Sequence, residues 1–135
     1  MSDRLLIQRR PRAVMVGVAL LLSFSGCATT SYKPLEQTTG QDVTQVAENE
    51  FRVEYRAGLF TPQERMDDYI KLRCAEVTLQ RGYDYFEMGE RFDNVILSRT
   101  TSVLLRVHKG RIPEGANLFH DARQVVAQLR QLPRE

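Results

Sequence analysis

The stretch that decides the fold runs from residue 51 to residue 86 and reads FRVEYRAGLFTPQERMDDYIKLRCAEVTLQRGYDYF. Phe51, Val53 and Tyr55 alternate with Arg52, Glu54 and Arg56, the period-two pattern of a strand with one buried face, and Gly58 closes it. Thr61, Pro62, Gln63 and Glu64 then form the pattern of a capping box with proline at the first helical position. In such a box Thr61 accepts from the backbone N–H of Glu64, and the Glu64 carboxylate reaches back to the backbone N–H of Thr61. Asp67 and Asp68 place negative charge near the positive end of the helix. The helix is expected to continue to Arg81 and stop at Gly82, which tolerates the left-handed conformation. Met66, Ile70, Cys74 and Val77 share one face, which is expected to meet a sheet.

Toward the C-terminus, residues 83–88 (YDYFEM) read as a second strand, residues 91–94 (RFDN) as a turn, and residues 95–97 as a possible resumption of pairing. Val103, Leu105 and Val107 alternate with Leu104, Arg106 and His108 in a further strand that ends at Lys109 and Gly110. After Pro113 and Gly115, residues 118–131 carry Phe119, Ala122, Val125, Val126 and Leu129 at helical spacing. The order strand, helix, strand, strand, helix implies an α+β domain over residues 51–132. It would be a small, mostly antiparallel sheet with two helices on one face.

Toward the N-terminus, residues 28–50 are rich in Thr, Gln, Glu and Ser and poor in large apolar side chains. Such a stretch buries too little surface to offset its ordering entropy and is expected to be a flexible tether with a reach of about 25 Å. Before it, residues 1–12 are basic and residues 13–24 (AVMVGVALLLSF) form an uncharged apolar run. That run is shorter than the roughly 20 residues a spanning helix needs. A basic region, an apolar run of this length and small residues at its exit make a secretory signal peptide over residues 1–26. Arg9 and Arg10 lack the apolar consensus that follows a twin-arginine pair, which favours the Sec route. Phe24-Ser25-Gly26-Cys27 resembles the lipobox of bacterial lipoproteins, with Phe24 in place of the usual leucine. The resemblance implies diacylglyceryl transfer to the Cys27 thiol, cleavage before Cys27 and acylation of the new amine. Several acyl chains, at about 0.8 kcal/mol per buried CH₂, then hold a protein stably on a membrane. Ala28 after the cysteine favours the outer membrane.

The chain has 135 residues and a formal charge of +2, of which Arg4, Arg9, Arg10, Arg12 and Asp3 contribute +3; 15 basic and 16 acidic side chains remain beyond them. A domain so near neutrality lacks the basic face that nucleic-acid binding requires, and that class is set aside. The two cysteines are Cys27 and Cys74. With Cys27 lipidated, Cys74 has no partner within the chain and no disulfide framework is expected.

Within the domain, residues 51–56 before Thr61, then Arg73-Cys74-Ala75-Glu76, then Gly82-Tyr83-Asp84-Tyr85-Phe86, together resemble a family of small proteobacterial lipoproteins. Their pattern is an extended segment, a Thr-initiated helix with Arg-Ala-Ala-Glu, and a Gly-Tyr-Asp-Tyr-Phe strand. Lys109-Gly110, Pro113, Phe119, Ala122, Arg123 and Val125 extend the similarity into the tail. Cys74 stands where that family has alanine, and Arg56-Ala57-Gly58 replaces a Gly-Asn pair. The resemblance implies an outer-membrane lipoprotein and carries over no catalytic residue.

Arg73 lies within the apolar face of its helix with Glu76 one turn on, and a cation there needs a partner or a route to water for its head. One reading is a structural Arg73–Glu76 pair that also reaches a carbonyl or Asp84. The other is an anion or ligand site built on the guanidinium. Cys74 is expected to be a small buried hydrophobe. His108 and His120 are expected to be exposed, and their spacing fits no metal motif. Tyr83, Tyr85, Phe86 and Phe92 form an aromatic group. Alternation sends Phe86 and Met88 to one face and Tyr83 and Tyr85 to the other, where an open platform for a partner could form. No nucleophile elbow, phosphate loop, dinucleotide fingerprint or zinc-protease helix is present, so no enzyme and no cofactor is proposed. The expected role is a non-enzymatic, membrane-anchored protein of the cell envelope that contacts another envelope protein or maintains the surface. The alternative is a small-ligand or lipid-binding periplasmic module centred on Arg73.

Overall fold

The alternation at Phe51, Val53 and Tyr55 becomes strand β2 (Glu50–Ala57), whose odd-numbered residues from Phe51 are buried and whose even-numbered ones face outward. The computed structural model describes residues 31–37, 40, 42–112 and 114–131. The expected signal peptide and the lipidated Cys27 lie outside the described residues. In chain order the elements are β1 (Val43–Ala47), β2, α1 (Gln63–Gln80), β3 (Tyr85–Val95), β4 (Arg99–His108), β5 (His120–Asp121) and α2 (Ala122–Leu129), with one 3₁₀ turn at Leu35–Gln37 ahead of them. The five strands form one antiparallel sheet in the order β1-β2-β4-β3-β5. Phe51, Val53, Tyr55, Val103, Leu105, Val107 and Phe86 line its buried face, and α1 packs across them with α2 beside it. The fold is α+β with both helices on one side of the sheet, as the sequence implies, and among the described residues the opposite side bears no helix.

Helix α1 begins one residue later than the capping-box reading places it. Pro62 keeps an extended ψ of 150° and stands at the N-cap with no side-chain cap hydrogen bond. Its carbonyl accepts the first helical bond, from the N–H of Met66. At the other end the expectation holds. Gly82 has φ of +83°, its N–H donates to the Leu79 carbonyl, and the Tyr83 N–H donates to the Thr78 carbonyl. These two bonds are a Schellman closure, which satisfies carbonyls that the helix end would otherwise leave open. Met66, Ile70, Cys74 and Val77 are buried as one face, but so are Tyr69, Leu72, Arg73, Ala75 and Thr78. The helix is covered on three sides: by the sheet, by α2, and by the chain just before β1.

That last contact corrects the tether. Tyr32 and Leu35 belong to the core, and residues 43–47 pair with β2 as an edge strand. The domain therefore reaches back to about residue 32 rather than starting at Phe51. Thr, Gln and Glu suit this stretch because only one edge of β1 is paired and its residues beyond Val43 are exposed.

A second correction concerns β3. The turn expected at residues 91–94 is continuous strand, and the reversal falls at residues 96–98. Met88 pairs with Leu105 and Arg91 with Val103, so Gly89 and Glu90 together oppose Leu104 in a β-bulge. A Cβ at Gly89 would lie 3.2 Å from the Leu104 carbonyl oxygen, which accounts for glycine there. The bulge turns Arg91 toward α1, where it meets Asp67 at 2.8 Å and its neighbour Asp93 at 2.8 Å. The last helix is also shorter than expected. His120 and Asp121 pair with β3, and the Asp121 carboxylate caps α2 by accepting from the Gln124 N–H at 3.1 Å.

Candidate functional site

A charged side chain on the core face of α1 has to be met by polar groups brought from elsewhere, and Arg73, only 1% exposed, is met by the segment just before β1. Its Nε donates to the Tyr32 hydroxyl at 3.3 Å, one terminal nitrogen donates to the Asp42 carboxylate at 3.3 Å, and the other donates to the Lys33 carbonyl. The guanidinium lies 5.0 Å from the centre of the Tyr55 ring and 5.6 Å from that of Tyr32. Tyr32 itself, fully buried, stacks on Tyr55 with centroids 5.4 Å apart and planes 6° from parallel, and Tyr69 closes the group at 5.5 Å. The Tyr32 hydroxyl donates to Glu76 at 2.6 Å, the Leu35 N–H donates to the same carboxylate oxygen at 3.0 Å, and the Lys33 N–H donates to the Tyr55 hydroxyl at 3.0 Å. Arg73 and Glu76 thus converge on Tyr32 rather than on each other, and together they clasp residues 32–35 onto the domain. Among the described residues no buried side-chain nitrogen or oxygen lacks a partner.

Burial pushes the Tyr32 hydroxyl well above its ordinary pKa, the Glu76 carboxylate adds to the rise, and Arg73 opposes it. The phenol has to stay protonated in the fold. Because the folded value exceeds the unfolded value of about 10, this contribution to stability is complete below pH 10 and is lost as pH rises above it. Urea midpoints measured from pH 8 to 11 should fall at the alkaline end, and less steeply in Tyr32→Phe. Parallel falls in the two proteins would contradict this.

Asp84, offered as a partner for Arg73, does other work. It accepts from the Gly110 N–H at 3.0 Å and from Arg123 at 2.9 Å, and these donors in that order hold its carboxyl below the usual range. Its carbonyl receives the Ala122 N–H, so one residue joins the ends of β3, β4 and α2. Cys74 is buried as expected, and burial raises its thiol pKa, which keeps the thiolate scarce. The histidines are half-buried rather than exposed. His108 lies against Phe119 and His120 against Phe86, and burial, then Lys71, lower the pKa of His120. Among the described residues no group of His, Cys, Asp or Glu could hold a metal ion.

The expected tyrosine platform does not assemble. Tyr83 precedes β3, packs on the edge of the core and donates to Asn49 at 3.0 Å. Tyr85 is in the strand, opposite His108, on the side away from the helices. That side carries Arg106 between Glu50 (3.0 Å) and Glu87 (3.1 Å), and Arg52 over the Phe92 ring at 5.5 Å.

The sequence reading also missed an apolar tip. Leu59 and Phe60 follow β2, while Val95, Ile96 and Leu97 lie at the β3–β4 reversal; Phe60 is 94% exposed, Leu97 91% and Ile96 72%. The two loops are neighbours, since Ala57 and Val95 both pair with Arg99. Arg99 ties them, donating to the Thr61 carbonyl and to Gln63, each at 2.6 Å. Assigning residues 95–97 to a strand hid the tip. The signal available was a run of apolar residues where two alternating strands must reverse. No family model, curated protein or solved structure matches the chain.

Proposed function

We propose that this chain is a lipid-anchored lipoprotein of the bacterial cell envelope, on the periplasmic face of the outer membrane, which works through contact with another envelope protein rather than by catalysis. The observation that carries the reading is Phe24-Ser25-Gly26-Cys27 at the exit of a twelve-residue apolar run behind a basic start. Among the described residues no helix is long and apolar enough to cross a membrane. On this reading attachment is through lipid on Cys27. The side of the sheet away from α1 and α2, where Tyr85 and Phe92 stand among paired charges, is the surface offered to a partner.

The alternative, a ligand module centred on Arg73, fits less well, because Tyr32, Lys33 and Asp42 already occupy the guanidinium. Mass spectrometry of the protein extracted from native membranes should find a mature chain beginning at acylated Cys27. In-cell cross-linking should capture one dominant envelope protein, and Tyr85→Ala should weaken that capture with the melting temperature unchanged. An unmodified Cys27 sinks the anchor, and the absence of a reproducible partner sinks the contact role.

A further inference from the structure

The apolar tip and the point where the chain departs toward Cys27 lie at the same end of the domain. Ser31 shares a hollow with Gly58, Tyr55 and Ser98, between the two loops that carry Leu59, Phe60, Val95, Ile96 and Leu97. Ser31 is the fourth residue after Cys27, so even a fully extended chain separates them by no more than about 14 Å. The clasp on Tyr32 and Leu35 prevents residues 32–35 from lengthening that span without breaking the bonds of Arg73 and Glu76. If Cys27 carries acyl chains in a bilayer, the end of the domain bearing the tip is held against the lipid surface.

The composition of the tip matches that position. Residues 58–60 (GLF) and 95–98 (VILS) contain no charged side chain. Single exposed apolar residues are ordinary, but five gathered on two adjoining loops form a patch that needs an occupant. Apolar side chains at a membrane surface settle about 5–10 Å into the boundary between headgroups and acyl chains. The anchoring of both loops by Arg99 presents them as one projection. We propose that this tip is inserted in the bilayer that holds Cys27, so that the domain sits directly on the membrane with its strands upright and the open side of the sheet turned sideways. The proposal rests on the lipoprotein reading above.

The chain contains no tryptophan, so one introduced residue reports its own surroundings. Full-length Phe60→Trp, Leu97→Trp and Val46→Trp proteins, extracted with their lipid, would be reconstituted into phosphatidylcholine vesicles doped with phosphatidylcholine brominated at shallow acyl positions. Val46 is an exposed residue on β1, which runs toward the opposite end of the sheet. Emission from Phe60→Trp and Leu97→Trp should shift to the blue and be largely quenched, while Val46→Trp should be unaffected. The mass of each sample records whether Cys27 is acylated. An acylated protein with unquenched tip tryptophans overturns the inserted tip and leaves the lipoprotein reading standing. Equal quenching at all three sites also overturns it, and an unacylated Cys27 overturns both.

Discussion

Arg73→Met should lower the stability of the domain by about 3 kcal/mol, because it leaves the buried partners of the guanidinium without their charged donor at about 1–3 kcal/mol each. Methionine keeps the apolar stem of the side chain, so most of the loss comes from the polar groups left behind. The Lys33 carbonyl and the Tyr32 hydroxyl lose a charged donor, and Asp42 keeps its charge but is exposed enough to regain water. In a domain of this size that corresponds to a melting temperature lower by about 12–24 °C. Thermal unfolding followed by circular dichroism measures it directly. A shift of only about 2 °C, equivalent to less than 1 kcal/mol, would mean that the guanidinium contributes nothing net in its buried place.

Tyr32→Ala is the second large effect, and it should be local. The substitution removes a fully buried ring, a change that costs about 3–5 kcal/mol in a closed core. It also removes the hydroxyl that links Arg73 to Glu76. Tyr32 lies at the border of the domain, so residues 31–37 can leave while the sheet and α1 persist, and the free energy of that local opening should fall toward zero. Amide exchange reads this out. Protection at Lys33 and Leu35, whose N–H groups donate to Tyr55 and Glu76, should be lost, while Val53, Val103 and Leu105 keep theirs. Tyr32→Phe keeps the stack and should cost about 1–2 kcal/mol through the missing hydroxyl. If exchange collapses uniformly across β2 and β4 as well, the segment is part of the global folding unit and not a separately released clasp. Tyr32→Ala carries a further consequence for the proposed membrane seat, since it would release residues 31–37 from the domain and weaken the quenching of a tip tryptophan.

Much of the fold was legible where one residue's environment is set by its neighbours in sequence. The alternation in β2 and β4 gave the buried face of the sheet, and the apolar spacing of Met66, Ile70, Cys74 and Val77 gave the side of α1 that meets it. Gly82 marked the helix end because the closing conformation needs a positive φ. Arg73 stood out because a cation interrupts that stripe. What was not legible depended on distant partners. Tyr32 lies 41 residues before the arginine it covers, and nothing in its polar surroundings signals a core residue. Strand β1 (VTQVA) lacks the strict alternation that reveals β2 and β4, because its edge and most of its side chains meet water. The closing helix was read too long because Phe119 falls in phase with it, although β5 and the Asp121 cap start the helix only at Ala122.

The bulge at Gly89 and Glu90 gives β3 a change of parity. Before it, the even-numbered Phe86 and Met88 face the helices; beyond it, the odd-numbered Arg91 and Asp93 do, and Phe92 passes to the open side. One strand thus supplies hydrocarbon to the core at its first half and an ion pair with Asp67 at its second. Removing a single residue from the bulge would restore strict alternation along the strand. If the first half kept its register, Arg91 would still oppose Val103 under α1 and Phe92 would stay on the open side. The same residues run on without the bulge would instead carry Phe92 under α1 and Arg91 out to water, exchanging the chemistry of the two faces with no change in composition.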